Sequence, residues 1–565
     1  MRRWAAAISF LYLSVSGSFL HSENYLLNGG QRSKINYSLI QKIKPTAETV
    51  SVTLSYVLPE NFKSPTYSQT VSNLSVRFTL EPDDKKEWTD KRGNRIVDYS
   101  WNNPAGAFEA RISFIAENAV SLVTVNTTAA FPVKDLSAAI LSYLEPTKMA
   151  PVDDPQIKKL SAEIVSGAKT QFDAVQRILS WLIDHMRYVL EPEEFGALYA
   201  LKTGKGNCQN YSHLAAALMR AQKIPVRIVN GITLKEPYDI KTGDRRLTLN
   251  MAQGRHSWIE VYFADLGWVP FDPQQSELFV SNRFIRLETG LDNEETVNDG
   301  LVRWTRRKGS NELISFSEII EADFDLDEVT IHGEKQNYGP ANILLVPEVK
   351  ASFVAEPKEP QVELPVFDPS TIKDLKFDIP YVFGNLEFPE GVNFAFNRTI
   401  VAGSDANSQT LEKNFLVETA EYVSGPNDYA QIFVLSGPVL LDKIGLALHN
   451  FGGQGTLVVE LREDDNMKPG RVAALSKPVN IRSLAGATGY HWVDFDFAAQ
   501  GLVLTPDRYW ITLRFDGTPI INWFYSYGKP VGPAEGTQMK LKAESGWPHT
   551  LGYEFNYRII GNTIK

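Results

Sequence analysis

Apolar and polar residues alternate over 50–57, and the pattern repeats over 74–80 and 107–114. A period of two marks a strand with one buried face. Gly93-Asn94 and Asn102-Asn103-Pro104 punctuate these runs as turns. Residues 23–145 are therefore predicted to form a β-sandwich domain. The period then changes. Phe172, Val175, Ile178, Leu179, Leu182, Ile183 and Met186 recur at helical spacing, which predicts an amphipathic helix over 170–187. A second helix is predicted over 208–223, with Tyr211, Leu214, Ala215, Leu218 and Ala221 on one stripe. Ile224-Pro225 ends it, because proline cannot continue a helix. Strands follow over 226–234, 256–263 and 268–272, with a turn near Asp265-Leu266-Gly267. Residues 146–345 thus read as a mixed α+β domain. Prolines 347, 357, 360, 365 and 369 mark 346–375 as an extended linker. Alternating or apolar runs at 456–461, 492–497 and 509–515 make 376–565 a second β-sandwich domain.

The amino terminus changes the compartment. Met1-Arg2-Arg3 is basic, 5–15 is mostly apolar, and Ser16-Gly17-Ser18 offers small residues for cleavage. That is the plan of an export signal, placed at 1–22, and it implies a secreted or periplasmic protein. The apolar run is too short for a membrane span, which needs about 20 residues. Among 565 residues there are 57 Lys and Arg against 67 Asp and Glu, a net charge of -10. Nucleic-acid binding relies on cations that neutralise phosphate, so this balance excludes it. A single cysteine excludes an intrachain disulfide and a cysteine-built metal site. No His-rich spacing, P-loop or dinucleotide motif occurs, so no metal and no cofactor is implied. Five Asn-x-Ser/Thr triplets begin at Asn36, Asn73, Asn126, Asn210 and Asn397. They read as chance, Asn210 most clearly, since it falls inside a predicted helix.

The lone cysteine carries the chemistry. A reactive thiol needs a lowered pKa, a general base, and a group that orients the base. Gly204-Lys205-Gly206-Asn207 leads directly into Cys208. Asn207 is a favoured N-cap, which makes Cys208 the first helical residue, beside free backbone N–H groups whose partial positive charge favours thiolate. The glycines would let a substrate approach closely. Of eight histidines, His256 opens a strand, and Asp272 ends the next one. His213 stands five residues along the Cys208 helix and is directed well away from the thiol. In an antiparallel hairpin centred on residue 264, His256 would stand opposite Asp272, close enough for a hydrogen bond.

Two runs, GKGNCQNYSHLAAALMRAQKIPVRIVNG and GRHSWIEVYFADLGWVPFDP, resemble the transglutaminase-like superfamily. The resemblance covers roughly a quarter of the chain. It implies a papain-like α+β core. It implies Cys208 as a nucleophile at a carbonyl or carboxamide carbon, His256 as base and acid, and Asp272 as the group that fixes the imidazole. The Cys208 N–H would be an oxyanion donor, and Tyr188 and Trp258 would line the substrate or oxyanion site. The chain departs from the family pattern at Asn210, Ser212 and Lys223, the last where glycine is common. The expected activity is hydrolysis of peptide or amide bonds, in proteins, peptides or cell-wall peptides. The alternatives are a protein-glutamine transglutaminase that passes the acyl group to an amine, and a non-catalytic envelope or carbohydrate-binding protein. For the last, Trp492, Tyr509, Trp510, Trp523, Phe524 and Tyr525 weakly resemble the aromatic sets of jelly-roll modules, which can stack on a carbohydrate; the other reading is that they pack in the core of the sandwich, since aromatics are enriched in strands. The acidic stretch 292–299 is expected to be a solvated loop, since it lacks the ligand spacing of a calcium site.

Overall fold

The computed structural model describes residues 24–234, 238–242, 245–249, 254–274, 277–336, 344–351, 375–386, 388, 398–402, 408–413, 420–484, 489–526 and 537–564. The proposed export signal, at 1–22, lies outside them. Most of the described chain is β-strand.

In the amino-terminal region, Asn24–Lys44 pairs on one side with Phe108–Ser121 and on the other with Ser315–Gln336, both antiparallel. A second sheet places Thr49–Val57 between Arg95–Asn102 and Leu301–Arg306. The two sheets share a core that includes Tyr37, Leu39, Val52, Leu54, Trp101 and Phe114. Alternation explains it: every second residue of Phe108–Ser121 is buried until the strand end. The expected boundary at 145/146 does not separate these sheets. Leu301–Arg306 and Ser315–Gln336, assigned by sequence to the central domain, complete the amino-terminal ones. Periodicity reports which face of a strand is buried, not which strand lies beside it. The expected linker is corrected at its start for the same reason. Leu344–Pro347 adds a parallel strand to residues 24–27, and Val349–Lys350 pairs with Val125–Asn126. Residues 352–374 lie outside the described set.

The carboxy-terminal region is joined to the rest by its sheet. The hairpin Tyr238–Thr242 and Arg245–Leu249 meets His332 through Lys241 on one side and residues 549–551 on the other. One sheet therefore runs from the amino-terminal strands into the carboxy-terminal ones.

Among the described residues there are five α-helices: α1 (Ala138–Leu141), α2 (Pro155–Ile164), α3 (Gln171–His185), α4 (Ala197–Thr203) and α5 (Cys208–Ala221). Helix α5 packs against an antiparallel sheet whose order is Gly267–Phe271, Gly254–Phe263, Val226–Thr233, Phe284–Gly290, and α2, α3 and α4 pack on α5. Thr170 caps α3 through the Asp173 N–H at 3.1 Å, and the helix buries the predicted stripe from Phe172 to Ile183. Helix α5 differs from its expected amphipathic form. Every residue from Cys208 to Arg220 is buried, polar ones included. Arg220 shows how such a polar side chain is kept inside: its guanidinium donates to the carbonyls of Val226 and Leu291, at 2.9 and 2.7 Å. After α5 the chain passes through Lys223 at φ +62°, a left-handed position where glycine fits without strain.

Candidate active site

Two asparagines set the start of α5. The Asn207 side-chain oxygen accepts from the Gln209 N–H at 3.1 Å, and the Asn207 N–H donates to the Asn210 side-chain oxygen at 3.2 Å. This reciprocal cap satisfies two orphan donors of the first turn. The Asn210 amide donates in turn to the carbonyls of Glu194 and Gly196, at 2.9 and 3.3 Å. Asn210 is fully buried, so its triplet is no site for a glycan. Gly206 makes this cap fit: a β-carbon there would lie 2.2 Å from the Asn210 β-carbon. The glycine was expected to admit a substrate, and the structure gives it this packing role instead. Cys208 follows as the first residue of the helix, with a buried thiol that is in no disulfide.

His256 lies on Gly254–Phe263, opposite Gly231. Trp258 follows on the same face, and a β-carbon on Gly231 would lie 2.4 Å from its indole ring. Asp272 comes directly after the strand Gly267–Phe271. The hairpin between them is centred on residue 265, since Phe263 pairs with Gly267 and Ile259 with Phe271. The expected centre was 264, so the register moves by two residues and Asp272 falls diagonal to His256. A shift of two keeps every side chain on its face, so the contact survives. His256 Nε2 and Asp272 Oδ2 are 2.7 Å apart, and neither residue has solvent-exposed surface. The other carboxylate oxygen accepts from the Gln274 N–H at 3.0 Å. Burial disfavours charge on the imidazole, but the Asp272 carboxylate and the nearby Cys208 sulfur outweigh it and raise the His256 pKa to about 10. The His256 ring also has a hydrogen-bonding interaction with the Cys208 side chain, which helps hold its proton.

Residues 158–273 match the sequence profile of the Transglutaminase-like superfamily. The chain carries a transglutaminase-like domain. Protein YebA of Bacillus subtilis (strain 168), uncharacterized, is 25% identical over 126 residues, which are 21% of this chain and 17% of YebA. The chain thus spans less than a fifth of that relative's length. ML0607 of Mycobacterium leprae (strain TN), also uncharacterized, is 25% identical over 217 residues, 36% of this chain and 72% of that protein. Among solved structures, a candidate cysteine protease from Cytophaga hutchinsonii is 18% identical, with a TM-score of 0.40 over 54% of this chain and 94% of its own. The periplasmic domain of TgpA from Pseudomonas aeruginosa is 14% identical, with a TM-score of 0.22 over 43% of this chain and 90% of its own.

The structure also places the other residues singled out in the transglutaminase-like domain and its flanks. Tyr188 and Trp258 keep 2% and 1% of their surface, within hydrophobic clusters. Trp258 packs against Phe284 and beside the His256 ring, with centroids 5.2 and 6.0 Å away. Their burial matches that of Cys208, His256 and Asp272. His213 is fixed by two backbone groups: its Nδ1 donates to the Phe195 carbonyl at 2.7 Å and its Nε2 accepts from the Asn293 N–H at 3.1 Å. Half of the stretch 292–299 is buried: Asp292, Asn293, Thr296 and Asp299. Asp299 pairs with Arg255 at 2.7 Å and Glu295 with Arg92 at 2.8 Å. Those cations are distant in sequence, and a local reading has no view of them. Among the described residues no group of His, Cys, Asp and Glu is arranged to hold a metal ion. The expected carbohydrate-stacking set is internal except for the partly buried Trp492. Trp510, Trp523, Phe524 and Tyr525 keep at most 2% of their surface, and Trp492 lies under the Arg558 guanidinium at 4.6 Å. Stacking on a sugar needs an open ring face.

Sequence reasoning missed three polar residues beside His256 and Asp272. They are Gln274, Glu277 and Tyr238, whose hydroxyl donates to the Glu277 carboxyl. Only the proximity of Gln274 and Glu277 to Asp272 along the chain could have drawn notice to two of them. A cavity of about 310 Å³ lies beside α5, lined in part by Gln209, His213, Asn230, Arg255 and Asn293. Gln209 and Arg255 are the chain neighbours of Cys208 and His256.

Proposed function

We propose that this protein is an exported thiol hydrolase of peptide or amide bonds, with Cys208 as nucleophile. The observation that carries the reading is the buried 2.7 Å bond between His256 and Asp272, on an imidazole whose charged form the nearby Cys208 sulfur also favours. Asp272 holds Nε2 and so directs Nδ1 away from itself, free to exchange a proton with the thiol. The Cys208 thiolate, favoured at the α5 N-terminus, attacks the carbonyl carbon. The Cys208 N–H is a donor for the developing oxyanion. The C–N bond breaks, and the leaving amine takes the proton from the His256 imidazolium. Water then attacks the thioester, gives a proton to His256, and the S–C bond breaks to release the acid. No described helix is long and apolar enough to cross a membrane, and the 1–22 pattern supports export.

The test is alkylation of the protein by iodoacetamide from acid to mildly basic pH, beside His256→Ala. The expected outcome is reaction well below the ordinary thiol pKa of about 8.5 in the wild type and a marked loss in the variant. Equal rates in both, rising only near pH 8.5, would refute the reading. Product analysis with a peptide and a primary amine present then separates hydrolysis from transfer to the amine.

A further inference from the structure

Among the described residues, Cys208, His256 and Asp272 take no part in the wall of the 310 Å³ cavity beside α5. Strand alternation explains why. His256 points to one face of Gly254–Phe263, and Arg255, which lines the cavity, points to the other. The cavity is therefore separate from the thiol and its base.

Most of its polar wall is already committed. Arg255 is held by Asp299 at 2.7 Å and by Glu318 at 3.0 Å. The Asn293 amide donates to Asn230 at 2.6 Å, the Asn230 amide donates to Thr296, and both His213 nitrogens are bonded. Gln209 is the exception. It keeps 7% of its surface, and its side-chain amide makes no hydrogen bond among the described residues. Native structures rarely keep a buried amide without a partner or a use. The charges narrow the use. Glu294 and Asp299 outnumber Arg255 in the wall, which disfavours an anion. Asp299 is spent on Arg255, and Glu294 lies at the surface, 3.6 Å from Lys148, so neither is left for a cation. Met149, Phe195, Leu287, Val297 and Leu301 make the rest apolar.

We propose that this cavity is a second binding site, for a small uncharged molecule that carries a primary carboxamide on an apolar body. A primary carboxamide has an N–H and a C=O on one edge, as Gln209 does, so the two can pair through two hydrogen bonds. A trans secondary amide has these groups on opposite sides and can make only one. The apolar walls take the body of the ligand, and the volume is of a size that ligand sites use. The proposal does not depend on the thiol reading.

The test is an NMR saturation-transfer titration of the full chain with benzamide, N,N-dimethylbenzamide and benzoate. Benzamide should bind with about millimolar affinity, as suits its size. The dimethyl compound has lost both N–H groups and benzoate is an anion without one, so each should bind about tenfold more weakly. Gln209→Met keeps side-chain length and should weaken benzamide by about tenfold. Its melting temperature should hold, because the wild-type amide has no bond to lose. Gln209→Leu is measured as well, so that the result does not depend on one variant folding. Cys208→Ala should bind benzamide as the wild type does. Loss of binding in Cys208→Ala would place benzamide at the thiol and overturn the proposal. Equal binding of the three compounds, or unchanged benzamide binding in both Gln209 variants, overturns it too. So does a wild type that binds none of them, which would make the cavity a place for water. Iodoacetamide reaction at Cys208 is read separately, so the failure of this proposal and the failure of the thiol reading are distinguishable.

Discussion

His256 and His213 are buried in the same helix–sheet unit, and their surroundings drive them in opposite directions. His256 meets the Asp272 carboxylate and the Cys208 sulfur, and its pKa rises to about 10. His213 meets two backbone groups. Burial dominates there, outweighing the Phe195 carbonyl and Asp292, and its pKa falls to about 4. Equal burial therefore decides nothing by itself. The fixed partner decides: a carboxylate holds a proton on the ring, while an N–H aimed at Nε2 excludes one. One histidine is set up to move a proton, and the other is set up never to take it.

The largest effect should come from removing the charge that separates them. Asp272→Asn keeps the shape and leaves an uncharged partner on Nε2. By analogy with other triads, peptide or amide turnover should fall by about 10⁴-fold. The alkaline limb of Cys208 alkylation should move down, from near pH 10 toward the ordinary imidazole range. The sign for stability follows. The folded state keeps the His256 proton up to about 10, while an unfolded imidazole releases it near 6.5. The stabilisation is full below pH 6.5 and fades as pH rises toward 10. Denaturant titrations across that window check it. A limb that stays in place would mean that Asp272 is not what holds the proton.

His213→Leu attacks the other side of the comparison. It leaves the Phe195 carbonyl and the Asn293 N–H buried without a partner, at about 1–3 kcal/mol each. Urea unfolding should show a loss in that range or up to about twice it. Here the pH sign is reversed. The folded state refuses a proton that the unfolded chain accepts below 6.5, so wild-type stability falls as pH drops from 6.5 toward 4. The variant should lose that part of the slope. A variant that keeps it would assign the acid sensitivity to other groups.

The two histidines also differ in how far they could be read from sequence. Cys208, His256 and Asp272 each rest on short-range patterns: an N-cap before a helical stripe, the first residues of a strand, and the far end of a hairpin. Helix ends came within two residues, and the register error of two left every side chain on its face. His213 has no such local signature. Its partners are Phe195, before the helix, and Asn293, eighty residues on in a stretch read as solvated. Strand alternation likewise marked the inner faces of the amino-terminal sheets. It could not tell that Leu301–Arg306 and Ser315–Gln336 would be their neighbours, because pairing partners leave no trace in period. Buried polar groups fail for the same reason: a lone Glu or Gln looks like surface until its surroundings are known.

Glu277 gives the smallest and sharpest of these tests, because it is a second carboxyl acting on the same imidazole. It keeps 1% of its surface. Burial raises its pKa to about 8, helped by Asp272 and opposed by the Tyr238 hydroxyl, Arg283 and His256. Below pH 8 it is neutral, and Asp272 alone faces His256 as an anion on this side. Above pH 8 it ionises and adds a second negative charge that holds the imidazole proton longer. Glu277→Gln should therefore leave the alkylation profile near pH 6 in place and lower its alkaline limb, by less than Asp272→Asn does. Its stability should change in the matching window. The folded wild type keeps a proton that the unfolded chain loses above 4.5, so stability declines as pH rises from 4.5 to 8. The variant should flatten that decline. If the decline flattens while the limb stays put, Glu277 titrates without reaching His256, and the high pKa of His256 belongs to Asp272 and Cys208 alone.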